Sequence, residues 1–245
     1  MIEARALRKV FSGGSRGEVV AVKDVSFTAM PGRVMALLGP NGAGKTTTLR
    51  MLATILTPTS GTALVDGLDV RENPLAVRRR LGYISGDTGV YERMTAREMV
   101  TYFGRLHQMQ EAAIKSRVFE IIEMLDMGSF ADRMAGTYSS GQKQKLSIAR
   151  TIIHDPPVLV FDEPTANLDV LVARTVNDFL LLSKERGKCV VLSTHVLSEA
   201  DRLADDVAII HHGRILARGT IEEVTGGKDL EQVFFDLVDA AEEEE

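Results

Sequence analysis

The sequence predicts an α/β fold, a mainly parallel sheet covered by helices on both faces. Three observations predict it. The runs at residues 34–38, 158–161 and 189–193 are apolar throughout, as strands buried on both faces must be. Stretches with apolar residues at helical spacing lie between them, one carrying Leu49, Leu52, Ala53 and Leu56, another spanning about 170–184. The glycine-rich turn Gly39-Pro40-Asn41-Gly42-Ala43-Gly44-Lys45-Thr46 joins the first such strand to the first such helix.

Each element has its own reason. Residues 5–10 and 19–27 read as strands, with Val19, Ala21, Val25 and Phe27 mostly alternating, and the loop Ser12-Gly13-Gly14-Ser15-Arg16-Gly17 separates them. Pro31-Gly32 bounds strand 34–38, and the helix over about 47–56 ends near Thr57-Pro58. Short strands follow at 62–65 and 81–84. From Thr95 to about Asp132 the pattern is mostly helical, and Thr95-Ala96-Arg97-Glu98 has the form of a capping box. Ser139 and Gln142 repeat that spacing before a helix that stops at Asp155-Pro156-Pro157. A hairpin at 207–218, turning near His212-Gly213, follows the last buried strand. The helical block interrupts the alternation and is expected to be a subdomain at about 88–150. Residues 221–245 are expected to form an extension ending in a solvated acidic tail.

The chain has 245 residues, a formal net charge of −5 and one cysteine, Cys189. That charge argues against a main task of coating nucleic acid, and no intrachain disulfide is possible. Cys189 sits in an apolar run and is expected to be a small buried hydrophobe. The start Met1-Ile2-Glu3-Ala4-Arg5 lacks the apolar core of a signal peptide, and no run reaches bilayer-spanning length. A cytoplasmic chain is therefore expected, with any membrane role supplied by a partner.

Residues 39–46 fit G-x-x-x-x-G-K-[ST], whose glycines let backbone N–H groups wrap phosphate at a helix N-terminus. Lys45 is placed to neutralise β- and γ-phosphates, the Thr46 hydroxyl to help hold Mg²⁺, and Thr47 to add a phosphate contact. The apolar run at 158–161 ends in Asp162-Glu163: Asp162 would orient the metal through water, and Glu163 would polarise the attacking water as general base. Ser139, Gly141 and Gln142 present a hydroxyl, an amide and a helix N-terminus together, which suits an anion as well as an ordinary cap.

The order of these motifs, closed by His195 after the last core strand, resembles the nucleotide-binding domain of ABC ATPases over about residues 3–220. The resemblance implies a P-loop NTPase fold of ABC type with an N-terminal antiparallel β part. It implies hydrolysis of ATP with Mg²⁺, and a head-to-tail dimer in which two copies sandwich two nucleotides. Residues 138–142 correspond to the signature motif that contacts the γ-phosphate held by the opposite subunit, with Ser140 replacing a common glycine. His195 resembles the γ-phosphate-sensing histidine, and Asp169, in Ala166-Asn167-Leu168-Asp169, the loop crossing the dimer interface. Phe11 matches the aromatic that stacks on adenine, a core phenylalanine being the competing reading. The family's usual glutamine after the strand at 81–84 is missing: Ser85-Gly86-Asp87 stands there, so that either Asp87 or Ser85 substitutes or the metal shell differs, and Asp87 is the expected metal-site residue. The resemblance further implies a separate transmembrane permease, docked near Tyr91, Met94 and Thr95, and a peripheral position on the inner face of the cell membrane. The stretch Tyr83 to Thr95 looks most like export-type, sodium-extrusion (Nat-type) subunits. The alternative within the superfamily is a non-transport ATPase acting on ribosomes or DNA, against which stand the single nucleotide domain, the lack of a long coiled-coil insertion and the negative charge.

Overall fold

The computed structural model describes residues 1–12, 17–85, 89–166 and 168–243. Among these residues, ten strands form one sheet in the order β5-β4-β1-β2-β10-β9-β3-β8-β7-β6. In chain order these are β1 (Ile2–Ser12), β2 (Glu18–Ala29), β3 (Arg33–Leu38), β4 (Ser60–Val65), β5 (Leu68–Asp69), β6 (Leu81–Ser85), β7 (Val158–Asp162), β8 (Cys189–Thr194), β9 (Asp206–His211) and β10 (Arg214–Thr220). The run β9-β3-β8-β7-β6 is parallel, whereas β5, β4, β1 and β2 pair antiparallel.

The wholly apolar strands are buried on both faces. Val34, Ala36 and Leu38 of β3 enter one core while Met35 and Leu37 enter the other; Leu159 and Phe161 of β7 oppose Val158 and Val160 in the same way. Burying each Val, Leu, Met or Phe among these stabilises the fold by roughly 1.5–3 kcal/mol. Cys189 is fully buried, its thiol donates to the Ala29 carbonyl at 3.4 Å, and burial raises its pKa.

Helix α1 (Lys45–Leu52) packs in the core on the antiparallel side, beginning two residues earlier and stopping four earlier than its apolar spacing predicts. The Ala53 N–H closes it on the Leu49 carbonyl, and Thr54 follows at φ 58°, which turns the chain out of the helix. A short helix missed in the sequence, α2 (Pro74–Arg80), buries only Val77.

On the other face lie α3 (Ala96–Leu106), α4 (Glu111–Met124), α5 (Ser140–Ile152) and α6 (Val170–Glu185). Thr95 and Glu98 form the full capping box of α3, and Ser139 and Gln142 that of α5. The Tyr138 hydroxyl donates to the Phe130 carbonyl at 2.8 Å, tying the start of α5 to the turn after α4. Three later helices were not read in the sequence: α7 (Leu197–Leu203), α8 (Ile221–Thr225) and α9 (Leu230–Glu243). Leu230 and Phe234 of α9 join the core, and the helix runs on through Glu242 and Glu243, the first half of the acidic run. No helix among the described residues is long and apolar enough to cross a membrane.

Candidate active site

The phosphate loop connects the carboxyl end of β3 to α1. Gly42 and Gly44 have φ of 83° and 106°, left-handed values that glycine adopts without steric cost. A Cβ on Gly44 would stand 2.7 Å from the Ala21 carbonyl oxygen, so the loop closes on β2 only with glycine there. Gly44 is the N-cap of α1 and no side chain caps that end. The first-turn N–H groups, those of Lys45, Thr46 and Thr47, have no acceptor within the helix and suit an anion. Asn41, Gly42, Ala43, Gly44, Lys45, Thr46 and Thr47 line one depression with Ala21 and Glu163, while Gly39 and Pro40 form its stem.

Lys45 is 4% exposed, and its ammonium donates to the Gly39 carbonyl at 2.6 Å and the Pro40 carbonyl at 3.1 Å. Burial lowers its pKa, an effect the Glu163 and Asp162 carboxylates oppose. Asp162 ends β7 beside Ser193 of β8 in the parallel register. Its Oδ1 accepts from the Ser193 hydroxyl at 2.7 Å and from Thr46 Oγ1 at 3.0 Å; its Oδ2 faces the Tyr83 hydroxyl at 3.4 Å. Burial, followed by the charge of Asp162, pushes the Tyr83 phenol up to about 12. The Thr46 hydroxyl and Asp162 carboxylate are hard oxygen donors meeting at the loop, which fits Mg²⁺, an ion that takes one or two protein oxygens and completes its shell with phosphate and water. Asp87, the other expected metal residue, lies outside the described residues.

Glu163 follows β7 at φ 49°, a left-handed conformation unusual for a side chain with a Cβ. Its N–H is held by the Ser193 carbonyl at 3.2 Å and the Ser193 hydroxyl at 3.1 Å. The kink places Oε1 3.0 Å from His195 Nδ1 and 3.7 Å from Lys45 Nζ. Lys45, Thr46, Asp162, Glu163 and His195, predicted from separate stretches of sequence, therefore share one site.

The other predicted residues lie elsewhere. Ser139 Oγ accepts from the Gln142 N–H at 3.3 Å, and the Gln142 side chain accepts from the Ser139 N–H at 3.1 Å. Gly141 packs so closely on α6 that a Cβ would sit 2.6 Å from Val172 Cγ2. Asp169 caps α6, its Oδ1 accepting from the Leu171 and Val172 N–H groups at 3.0 Å each. Among the described residues, no hydrogen bond or ion pair joins Ser139, Gly141, Gln142 or Asp169 to the phosphate loop. Phe11, at the far end of β1, is 38% exposed and lies under Lys9 Nζ at 5.2 Å, so it is a surface ring rather than a core residue.

Sequence reasoning missed five side chains here: Tyr83, Ser193, Thr165, Thr194 and Glu199. The first two reach Asp162 only through strand register. Thr165 and Thr194 both donate to Glu199, at 2.6 and 2.7 Å.

Comparison with known proteins agrees with this architecture. The family described as ABC transporter matches residues 22–166. The ABC transporter ATP-binding protein NatA of Bacillus subtilis (strain 168) is 41% identical over 220 residues, covering 88% of this chain and 89% of that protein. The solved ATP binding subunit of an ABC transporter superposes with a TM-score of 0.87 at 27% identity, covering 97% of this chain and 99% of that one. A dimeric structure of a bacterial ABC transporter cassette gives a TM-score of 0.81 at 25% identity, covering 90% and 99%. With the phosphate loop, Asp162, Glu163 and His195 gathered as described, the chain belongs to the ABC transporter family, as an ATP-binding subunit that hydrolyses ATP.

Proposed function

We propose that this chain energises a membrane exporter by hydrolysing ATP at a site completed by a second copy of itself, with a separate transmembrane permease as its partner. The observation that carries the reading is the convergence of Lys45 and His195 on Glu163 at the phosphate loop, with the Thr46 hydroxyl bonded to the neighbouring Asp162 carboxylate.

In this reading the first-turn amides and Lys45 bind the β- and γ-phosphates, and Thr47 adds a further contact. Thr46, and Asp162 through water, would hold Mg²⁺, which would supply charge neutralisation on the phosphate oxygens. Glu163 takes the proton of the attacking water, and His195, through Nδ1, keeps that carboxylate aimed and senses the γ-phosphate. Phe11, exposed at the end of β1, stacks on adenine.

Ser139, Gly141 and Gln142 form a helix N-terminus, exposed at Ser139, that has no bond to this chain's own phosphate loop among the described residues. A second copy, packed head to tail, brings its Ser139 hydroxyl and helix N-terminus to the γ-phosphate, with Asp169 at the crossing. The solved dimeric cassette supports pairing of two such domains. Tighter binding of ATP than of ADP by the closed pair drives the mechanical step.

The proposal also divides the chain into a nucleotide-binding domain over 1–220, with its helical subdomain at about 88–150, and an extension over 221–245. The exposed Tyr91 belongs to the permease-docking surface, and the chain sits peripherally on the inner face of the cell membrane. Export, with sodium as the candidate cargo, rests on the likeness of residues 83–95 to export-type, Nat-type subunits.

The test is recovery of the tagged full chain from detergent-solubilised membranes of its own host. It should arrive with a multi-span membrane protein, and in vesicles the pair should move radiolabelled sodium when ATP is added. Recovery solely with ribosomes would overturn the transporter reading, and transport of another solute would replace sodium alone.

A further inference from the structure

We propose that Glu199 is a positioning residue for hydrolysis, clamping together the two loops that carry Glu163 and His195. The inference rests on the ATPase reading of that site.

Glu199 lies in the first turn of α7 and is 8% exposed. Its Oε1 accepts from Thr165 Oγ1 at 2.6 Å and its Oε2 from Thr194 Oγ1 at 2.7 Å. Thr165 stands two residues after Glu163, and Thr194 immediately precedes His195. One carboxylate thus spans the gap between the loop leaving β7 and the loop leaving β8. Thr194 Oγ1 also accepts from the Val196 N–H at 3.0 Å, which fixes the backbone on the far side of His195. Glu199 lines the same depression as Asn41, Glu163 and His195.

Chemistry explains why an acid stands here. A buried carboxylate is costly unless its oxygens accept hydrogen bonds, and an apolar side chain of similar size would fill the volume more cheaply. An apolar side chain, however, would leave both threonine hydroxyls without their acceptor and the two loops tied through Ser193 and the Glu163–His195 contact without the clamp. Glu163 is held in its left-handed kink on one side by Ser193; the Thr165–Glu199 bond secures the other. The 3.0 Å contact between Glu163 and His195 is the distance the clamp maintains. Glu199 touches neither of those side chains by hydrogen bond, so it acts through the threonines.

The experiment compares Glu199→Ala and Glu199→Gln with the parent in Mg-ATP turnover, in binding of a fluorescent ATP analogue and in thermal melting, and repeats Glu199→Ala in a His195→Ala background. Glu199→Ala should lower kcat by about 10- to 100-fold while nucleotide affinity stays within about threefold, a loss the size of a misplaced general base. Glu199→Gln keeps the shape and one acceptor oxygen, and should recover most of that loss. In the His195→Ala background Glu199→Ala should cost less than about threefold more, because the two residues act as a unit. Turnover of Glu199→Ala within about threefold of the parent, or the same fractional loss in both backgrounds, would overturn the proposal. Should Glu199→Ala fail to fold, Thr165→Val removes one donor at nearly constant shape and must show the same coupling to His195→Ala. A parent that binds ATP without hydrolysing it would instead remove the ATPase reading beneath the proposal.

Discussion

Glu163 Oε1 lies 3.0 Å from His195 Nδ1, a contact formed across the ends of the neighbouring parallel strands β7 and β8. Because the same oxygen stands 3.7 Å from Lys45 Nζ, the carboxylate faces both the loop lysine and the histidine. Glu163→Gln keeps the shape but cannot take a proton. It should lower ATP turnover by about 100-fold or more while leaving nucleotide affinity nearly unchanged. Steady-state hydrolysis and equilibrium binding on one preparation check this, and normal turnover would remove Glu163 as the base.

Gly44→Ala tests the loop itself. At φ 106°, with the Ala21 carbonyl oxygen 2.7 Å from the added methyl group, the loop must shift or strain by about 1–3 kcal/mol. Calorimetric titration should show ATP affinity weakened by about tenfold or more, since the first-turn amides proposed to bind phosphate move with Gly44. Unchanged affinity would show that the loop does not bind phosphate in this conformation.

His154 predicts how the fold responds to acid. Both its ring nitrogens are buried without hydrogen-bond partners, and its ring stacks on His107 with centroids 3.6 Å apart and planes at 4°. Burial, with the nearby His107 and Lys188, pushes its pKa down to about 4, while Asp155 opposes. The unfolded chain, titrating near 6.5, binds this proton first, so the contribution is complete above pH 6.5 and is lost as pH falls towards 4. The loss is on the order of 3 kcal/mol, reduced by whatever solvent reaches the ring. His154→Phe keeps a flat ring against His107 and should flatten the fall in urea midpoint between pH 6.5 and 4. Identical slopes in parent and variant would exclude the effect.

The sequence made legible what depends on local pattern. The strands at 34–38 and 158–161, the two capping boxes at Thr95 and Ser139, and the turn at His212-Gly213 each appear within a few residues of their expected place. Signals that depend on distant partners were not legible. The Ser193 hydroxyl reaches Asp162 only because β7 and β8 align Asp162 with Ser193, and no spacing rule reveals that register. Glu199 belongs to a seven-residue helix too short to show periodicity, and its two threonine donors lie 34 and 5 residues away in sequence. Helix α2 buries a single side chain, Val77, so it carries no apolar stripe to read. Phe11 shows the limit from the other side: an aromatic in a strand pattern could be core or surface, and only the fold decides.

Ser139→Ala separates the capping role of Ser139 from its proposed role in a second copy's site. Losing the N-cap of α5 should cost about 1 kcal/mol in a urea melt. If the hydroxyl also serves a second copy's γ-phosphate, ATP-dependent self-association should weaken by more than this small loss of stability explains. Association equal to the parent's would leave Ser139 as a cap alone.

The most direct test of the composite site is the mass of the Glu163→Gln variant, measured by light scattering with and without Mg-ATP. Slow turnover keeps ATP in place, so the variant should be a monomer alone and with ADP and a dimer with ATP, the dimer dissolving when Ser139→Ala or Lys45→Ala is added. A variant that binds ATP yet stays monomeric at every nucleotide concentration would contradict a site shared between two copies.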